Sequence, residues 1–441
     1  MKFFLRFVTL SLLLTLGASA HAQSAGGVRS VGSYGAKPDG KTLNTKAINE
    51  AVRACSISGG GSVVFPPGVF LSGSIELLSN VTLELEAGAV LVGSTNLGDY
   101  AAETGPNGEP SRAGLLTARN ANNIAITGRG VIEGNGMFFV DPNKVKVIEE
   151  GSDYDKKYTR QGEDFMNPKY GTEDGPLEPK DRPNNLIRFF NCTNILISGV
   201  TIQNSPIWTV HFVRCERVNI TGVSINSFGS GRRVPNDDGI DLTDTRIVHI
   251  SDCDIEDGDD GIVVLGGERI TVANCTLSSR SAAVRVGFAG GEIRDCVFAN
   301  LVIFDSNRGL AVNVRGAGSI ENVLFSDIVI QTRLVTGHWW GRVSRFKSQH
   351  GRGIPGSTKS ATSRTFDFTI SQRRVRAASS CMGVNRALSK TCFSRTSGSG
   401  SIIVRWSSLM AAISICEAVA TSRPRCSPMI FRLFIAGMRM A

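Results

Sequence analysis

The feature that most constrains this chain is a repeat. A short apolar alternation closed by a polar turn returns through its middle. Residues 194–202 (NILISGVTI) are one copy, and 218–225 (VNITGVSI), 247–255 (IVHISDCDI) and 270–277 (ITVANCTL) follow. Residues 323–330 (VLFSDIVI) are the last clear copy, and 123–128 (NIAITG) an early one. Each copy has the period of two and the β-branched residues of a strand, and each breaks at Gly, Asn or Asp. A spacing of roughly 21–28 residues suits three short strands and three turns per coil. One coil cannot bury its own apolar face, whereas stacked coils share a continuous core. Leucine-rich repeats have a similar period, but their Leu-x-x-Leu-x-Leu frame is absent. The repeat therefore predicts an all-β chain folded as a parallel β-helix over about residues 25–341. A charged interruption at about 138–184 breaks the period and reads as a loop insertion, either part of a cleft wall or a surface excursion.

Composition supports this reading and removes others. Gly is abundant at 49 residues and Pro modest at 15, with no collagen-like period, which favours many turns between short strands. The net charge of +9 belongs to one end. Residues 342–441 hold 17 Lys or Arg against Asp367 and Glu417, leaving the remainder at −6. The basic balance therefore does not mark a nucleic-acid partner. Lys2 and Arg6, the apolar run 7–16 and the small-x-small site at Ala20 and Ala22 read as a signal peptide over 1–22. No later stretch suits a transmembrane helix, so the expectation is an exported, periplasmic or extracellular monomer. Cys192, Cys215, Cys253, Cys275 and Cys296 recur at repeat-like intervals without a Cys-x-x-Cys pair. Buried, stacked thiols fit that pattern better than zinc ligands, with one or two disulfides left open.

A second pattern runs in phase with the first. Segments beginning at Asp238, Asp260, Ala282 and Arg308 align, the first three 22 residues apart and the fourth 26 later; residues 205–209 (SPIWT) fit as the preceding member. With coils of about 22 residues, Asp238 and Asp260 sit one above the other, about 4.8 Å apart along the sheet, and Asp259 joins them from the next position. Carboxylates this close repel, so at least one keeps its proton. A protonated acid beside an ionised base is what glycosidic hydrolysis needs. Turn formation by Asp-Gly and a non-EF-hand Ca²⁺ site remain open on spacing alone.

At these residues the chain resembles the polygalacturonase family of glycoside hydrolases, family 28. Residues 236–241 (NDDGID) look like the family's Asn-Thr-Asp segment and 258–261 (GDDG) like its Gly-Asp-Asp segment; 204–211 (NSPIWTVH) matches the stretch upstream. Residues 34–36, 59–68 and 83–89 are similar as well, so the likeness covers about Val31 to Gly341. The resemblance implies a single-stranded right-handed parallel β-helix of the pectin-lyase type that hydrolyses pectic glycosides with inversion and without cofactor or metal. By motif, Asp259 would be the general acid, and Asp238 and Asp260 would activate water. Asn236, Asp241, Arg285 and Arg308 are the expected substrate-binding residues. Ala282 stands where the family usually has the His of a Gly-His-Gly, and residues 311–313 (AVN) where it has Arg-Ile-Lys. Arg285 and Arg308 are the candidates to replace those charges. The competing readings are a Ca²⁺-dependent polysaccharide lyase and a non-catalytic β-helix adhesin or carbohydrate-binding scaffold.

After residues 336–341 (TGHWWG) the repeat stops, and a Ser- and Arg-rich tail runs over 342–441. A frameshift in the gene accounts for the abrupt change of charge and period better than a basic accessory tail. Core or edge packing is the expected role of Trp339 and Trp340. C-terminal coils missing or replaced would leave a bare strand edge. The polypeptide as written is therefore expected to fold poorly and act weakly. Soluble, active protein from the unmodified gene would overturn that expectation, and resequencing the codons around Gly341 checks its cause.

Overall fold

The computed structural model describes residues 27–104, 108–145, 176–227, 233–288, 290–313 and 318–332, together with four later strands. Strands stack in parallel, coil upon coil, as the repeat predicts. One sheet has eight strands in chain order: β1 (Ile75–Leu77), β2 (Leu116–Arg119), β3 (Ile187–Phe190), β4 (Val210–Val213), β5 (Ile240–Thr243), β6 (Ile262–Val264), β7 (Ala282–Gly287) and β8 (Arg308–Asn313). A 20-stranded sheet carries the other faces of the solenoid. Its longest ladder brings together Asn122–Gly128, Thr193–Ser198, Glu216–Thr221, Thr245–Ser251, Gly267–Ala273 and Glu292–Ala299.

Alternation decides which side chains face inward. On β5 to β8, Ile240, Ile262, Val284 and Leu310 form one rung series and Leu242, Val264, Val286 and Val312 another, all buried. Each such side chain contributes about 1.5–3 kcal/mol through burial. Like residues also stack between coils: the Phe298 and Phe325 rings lie 4.9 Å apart, and those of Phe189 and Phe212 5.3 Å. Cys192, Cys215, Cys253, Cys275 and Cys296 are buried free thiols.

The polar breaks in the repeat have a backbone cause. At one corner, Asn123, Asn194, Arg217, Ile247, Arg269, Asp295 and Asn322 all take left-handed φ of 53–57°. Asn adopts that conformation most readily, and its amide links coils: Asn123 donates to Asn80 Oδ1 at 3.0 Å and Asn194 to Asn123 Oδ1 at 3.0 Å.

Two parts were not anticipated. Helix α1 (Thr45–Ile57) buries Ile48, Ala51, Val52 and Cys55 and packs against the first strands, closing the N-terminal end of the core. Those four positions follow the i, i+3, i+4, i+7 helical pattern, which the strand-period reading passed over. The other is register. Val210, not Ile207, lies level with Ile240, so residues 205–209 do not form the preceding strand. They form a bend, closed by the Ser205 hydroxyl donating to the Ile207 carbonyl, and the strand begins three residues later.

The interruption starts and ends as a ribbon. Val140–Val145 pairs antiparallel with Leu177–Pro179, and Val140 and Leu177 cluster with Val234. Residues 146–175 lie outside the described residues, as do 1–26 with the expected signal peptide, and Trp339 and Trp340. Of the tail, Phe366–Ser371, Cys392–Arg395 and Ser401–Trp406 form a small antiparallel sheet, and Met429–Arg439 pairs antiparallel with Ser319–Thr332.

Ile247 is the one β-branched residue in the left-handed corner series. That conformation costs an L-residue roughly 1–2 kcal/mol. Ile247→Asn is expected to raise unfolding free energy by about 1 kcal/mol, measured by urea denaturation at constant m-value.

Candidate active site

Backbone stacking places the acidic residues. Asp238 precedes β5 and Asp260 precedes β6, and the Gly239 N–H donates to the Asp260 carbonyl at 2.9 Å. The next level repeats the bond, Gly261 N–H to the Ala282 carbonyl at 2.9 Å. A Cβ on Gly239 would meet the Gly261 carbonyl oxygen at 2.5 Å, and one on Gly261 the Ala283 oxygen at 2.6 Å. The glycines that follow Asp238 and Asp260 are thus needed for coils to approach this closely. The four aligned levels expected from spacing, Asp238, Asp260, Ala282 and Arg308, are the levels the ladder shows.

Asp238, Asp259 and Asp260 converge, with one oxygen of each within 4.8 Å of the others, and each residue is 6% exposed. Their environments separate them. Burial raises Asp259, and the charge of Asp260 adds to it, pushing its carboxyl up to about 8. Burial, then Asp259, raises Asp238 well above the ordinary carboxylate range. Burial acts on Asp260 in the same direction, but the charge and hydrogen bonds of Arg285 outweigh it and hold Asp260 below its usual value. Arg285 Nε and Nη2 both donate to Asp260, the latter at 2.8 Å, and the Ala282 N–H adds a third bond at 2.9 Å. One ionised carboxylate therefore sits beside a protonated one, the arrangement needed for paired base and acid.

The expected substrate-binding residues divide. Asn236 lies behind Asp259, donating to its Oδ2 at 3.5 Å while accepting from Arg182 at 3.2 Å. Asp241 is fully buried on β5, raised well above its usual range by burial and then by Asp260, and neither of its oxygens has a hydrogen-bond partner among the described residues. Arg285 faces Asp260 rather than open cleft. Arg308, one strand further, donates to the Ser281 hydroxyl at 3.1 Å and adds its field to Asp260.

Sequence reasoning missed Arg182. Its Nη1 donates to the Pro206 carbonyl at 2.8 Å and to that of Pro235 at 2.6 Å, fastening the bend before β4 to the segment before Asp238. Burial brings it down to about 10 against the opposing charges of Asp237, Asp238 and Asp259. It lies at the end of the interruption, where the period is lost, so no pattern pointed to it. Asp237 was read only as part of a motif; it is fully buried, accepts from the Ser227 hydroxyl at 2.7 Å and is pushed up to about 7 by burial. His211, level with Asp241, is bonded by Asn185 and Thr243 at 2.7 and 2.9 Å and brought down to about 3 by burial. A separate cleft of about 650 Å³ opens near β1 and β2, lined by Arg53, Glu76, Glu103, Thr117 and Arg119. Its Glu103 is paired with Arg119 and Arg188.

The raised Asp259 links the site to stability. Its folded value of about 8 exceeds its unfolded value of 3.8, so the stability it contributes is full below about pH 4 and is lost as pH rises through about 8. Asp259→Asn cannot titrate. Its melting temperature is expected to gain on that of the parent steadily from pH 4 to pH 8, read by calorimetry across that window; a constant difference would contradict the assignment.

Known proteins supply an independent line. The family model for glycosyl hydrolases family 28 matches residues 55–333. A probable polygalacturonase of Vitis vinifera is 28% identical over 342 residues, 71% of this chain and 62% of that protein. The exo-poly-alpha-D-galacturonosidase of Dickeya chrysanthemi is 30% identical over 54% of this chain and 42% of its own length. The chain thus spans less than two thirds of both relatives. The crystal structure of a hyperthermoactive exopolygalacturonase from Thermotoga maritima superposes with a TM-score of 0.54 at 26% identity, covering 70% of this chain and 75% of that one. With the strand stack, the aspartate levels and a family match over most of the chain in agreement, this protein belongs to glycosyl hydrolase family 28.

Proposed function

We propose that this chain is an exported, monomeric hydrolase of pectic polysaccharide, of the polygalacturonase kind. The observation that carries the chemistry is the convergence of three aspartates, with Asp260 gripped on both oxygens by Arg285, its neighbour Asp259 outside that grip and pushed up to about 8 by burial, and Asp238 within reach of both. Asp259 gives its proton to the glycosidic oxygen as the bond to the anomeric carbon breaks. A water between Asp238 and Asp260 attacks that carbon and passes its proton to Asp260. Asn236 keeps the Asp259 carboxyl oriented through its amide. Arg308 flanks the acids as a candidate contact for the sugar, whereas Asp241 is fully buried and acts on them through its charge. Galacturonate as the sugar rests on the likeness to a probable polygalacturonase and an exo-poly-alpha-D-galacturonosidase, and export on the N-terminal pattern of residues 1–22.

Stereochemistry follows from which groups are free to attack. The separation of at most 4.8 Å lies nearer the ~5–5.5 Å of retaining two-carboxylate enzymes than the ~6.5–9.5 Å of inverting ones. Retention, however, needs a carboxylate nucleophile. Asp260 is fixed in place by Arg285 on both oxygens, so it can accept a proton but is not free to move onto the anomeric carbon, and burial and its neighbours raise Asp238 well above the ordinary carboxylate range. Water is the better nucleophile here, so we propose inversion. The engagement of Asp260 by Arg285 also speaks against a calcium-dependent lyase, which would draw on the same carboxylates.

The test is incubation of the full chain with a panel of pectic substrates. Expected are saturated products, activity unaffected by calcium chelation, and a first-formed anomer, followed by proton NMR, opposite to that of the substrate. Asp259→Asn should lower kcat by roughly 10²–10⁴ with little change in KM. An unsaturated sugar end would favour the lyase, and carbohydrate binding unchanged in Asp259→Asn without any turnover would favour a scaffold.

A further inference from the structure

The family's usual His is absent at Ala282, yet Asp260 is held by several donors at once. The Ala282 backbone N–H still reaches Asp260 Oδ1 at 2.9 Å, Arg285 donates to both of its oxygens, and the Ser281 hydroxyl adds a further bond. Both side chains are sequestered, at 10% and 8% exposure, so the pair is little screened by solvent. The Arg285 guanidinium also lies over the Phe288 ring, 5.1 Å from its centroid, which restricts its plane. A guanidinium fork with two donors on one carboxylate fixes the geometry of that carboxylate as well as its charge.

We propose that Arg285 is a positioning residue whose grip on both oxygens of Asp260 makes that aspartate, rather than its neighbour Asp259, the ionised partner of the acid–base pair. This deepens the proposed function and rests on it. Asp259 and Asp260 are adjacent in sequence and similarly buried, so burial alone does not choose between them. The choice comes from one-sided contacts. Arg285 bonds Asp260 directly, with Arg308 behind it on β8. Among the described residues the Asp259 carboxyl meets the amide of Asn236 at 3.5 Å and the Ser281 hydroxyl, which also bonds Asp260, while Arg285 and Arg182 act on Asp259 through their charge. The remaining charged groups facing the pair are acidic: Asp237, Asp238, Asp241 and, at the end of the strand Asp254–Asp257, Asp257. They disfavour a second ionisation and so keep the proton on Asp259. Arg285 is thereby committed to Asp260 rather than to the carboxylate of a substrate, the role expected from sequence.

Arg285→Gln and Arg285→Lys in the full chain separate these roles. Positioning predicts a fall in kcat of about a hundredfold or more in the Gln variant, KM within about threefold of the parent, and an acidic limb of the kcat–pH profile displaced upward by about one pH unit or more. Arg285→Lys, which keeps the charge and loses the fork, should lie between. Because Arg285 acts through Asp260, the double variant Arg285→Gln/Asp260→Asn should lose little beyond Asp260→Asn alone. A raised KM with unchanged kcat and acidic limb would overturn the proposal and return Arg285 to substrate binding, as would full additivity of the two losses. Carboxyl ¹³C NMR of aspartate-labelled protein, with the Asp260 signal assigned by Asp260→Asn, reads the ionisation without substrate. It should show Asp260 titrating below the ordinary carboxylate range in the parent and at higher pH in the Gln variant. An unchanged titration would also overturn the proposal. If no pectic substrate is cleaved, the proposed function fails, while this titration still decides the role of Arg285.

Discussion

Everything in this molecule depends on coil stacking in parallel register. Adjacent strands in such a stack lie about 4.8 Å apart, so residues one coil apart in sequence become neighbours in space. The same spacing that pairs Ile240 with Ile262 and Val284 inside the core brings Asp238 level with Asp260 outside it. Core and site are two faces of one ladder. Slipping the register by one residue would exchange inward and outward side chains, turning Asp241 into the apolar core and Leu242 out of it. The apolar interior is therefore what holds the acids together against their mutual repulsion.

That repulsion is the resource on which the proposed chemistry draws. Six aspartates, at 237, 238, 241, 257, 259 and 260, gather in a buried region where ionising all of them is prohibitive. Local contacts then decide where charge settles. Asp260 receives a guanidinium and a backbone N–H, and Asp259 receives an amide at 3.5 Å. Two residues joined by one peptide bond are thereby driven to opposite protonation states. Arg182, reaching across to the carbonyls of Pro206 and Pro235, holds the loop that presents Asp238 and Asn236 to the pair. The ribbon that starts and ends the interruption packs on Val234 in that same loop, so the insertion supports the site at its described ends.

The parallel β-helix and the three acids were legible in the linear chain because a solenoid writes spatial neighbours as a fixed sequence interval. The 22-residue step from Asp238 to Asp260 is a distance in space as well as in number. Legibility ended where the interval changed. Between Val210 and Ile240 the coil runs to 30 residues, and there the alignment of residues 205–209 slipped by three. Arg182 lay beyond a break in the period, and α1 followed a helical period within a strand-dominated region.

The sequence by itself determined the stack, the inward rungs and the convergence of Asp238, Asp259 and Asp260, because periodicity and in-register pairing need no knowledge of side-chain direction. The tertiary structure decided which aspartate carries charge and what Arg285 does. Arg285 is 25 residues from Asp260 and shares a rung with Asp241 and Val263 instead. Only the direction of its side chain, turned back across the strand toward Asp260, makes it the partner of that carboxylate. Spacing reports which strands are neighbours; the orientation and burial of a guanidinium between them are settled by packing.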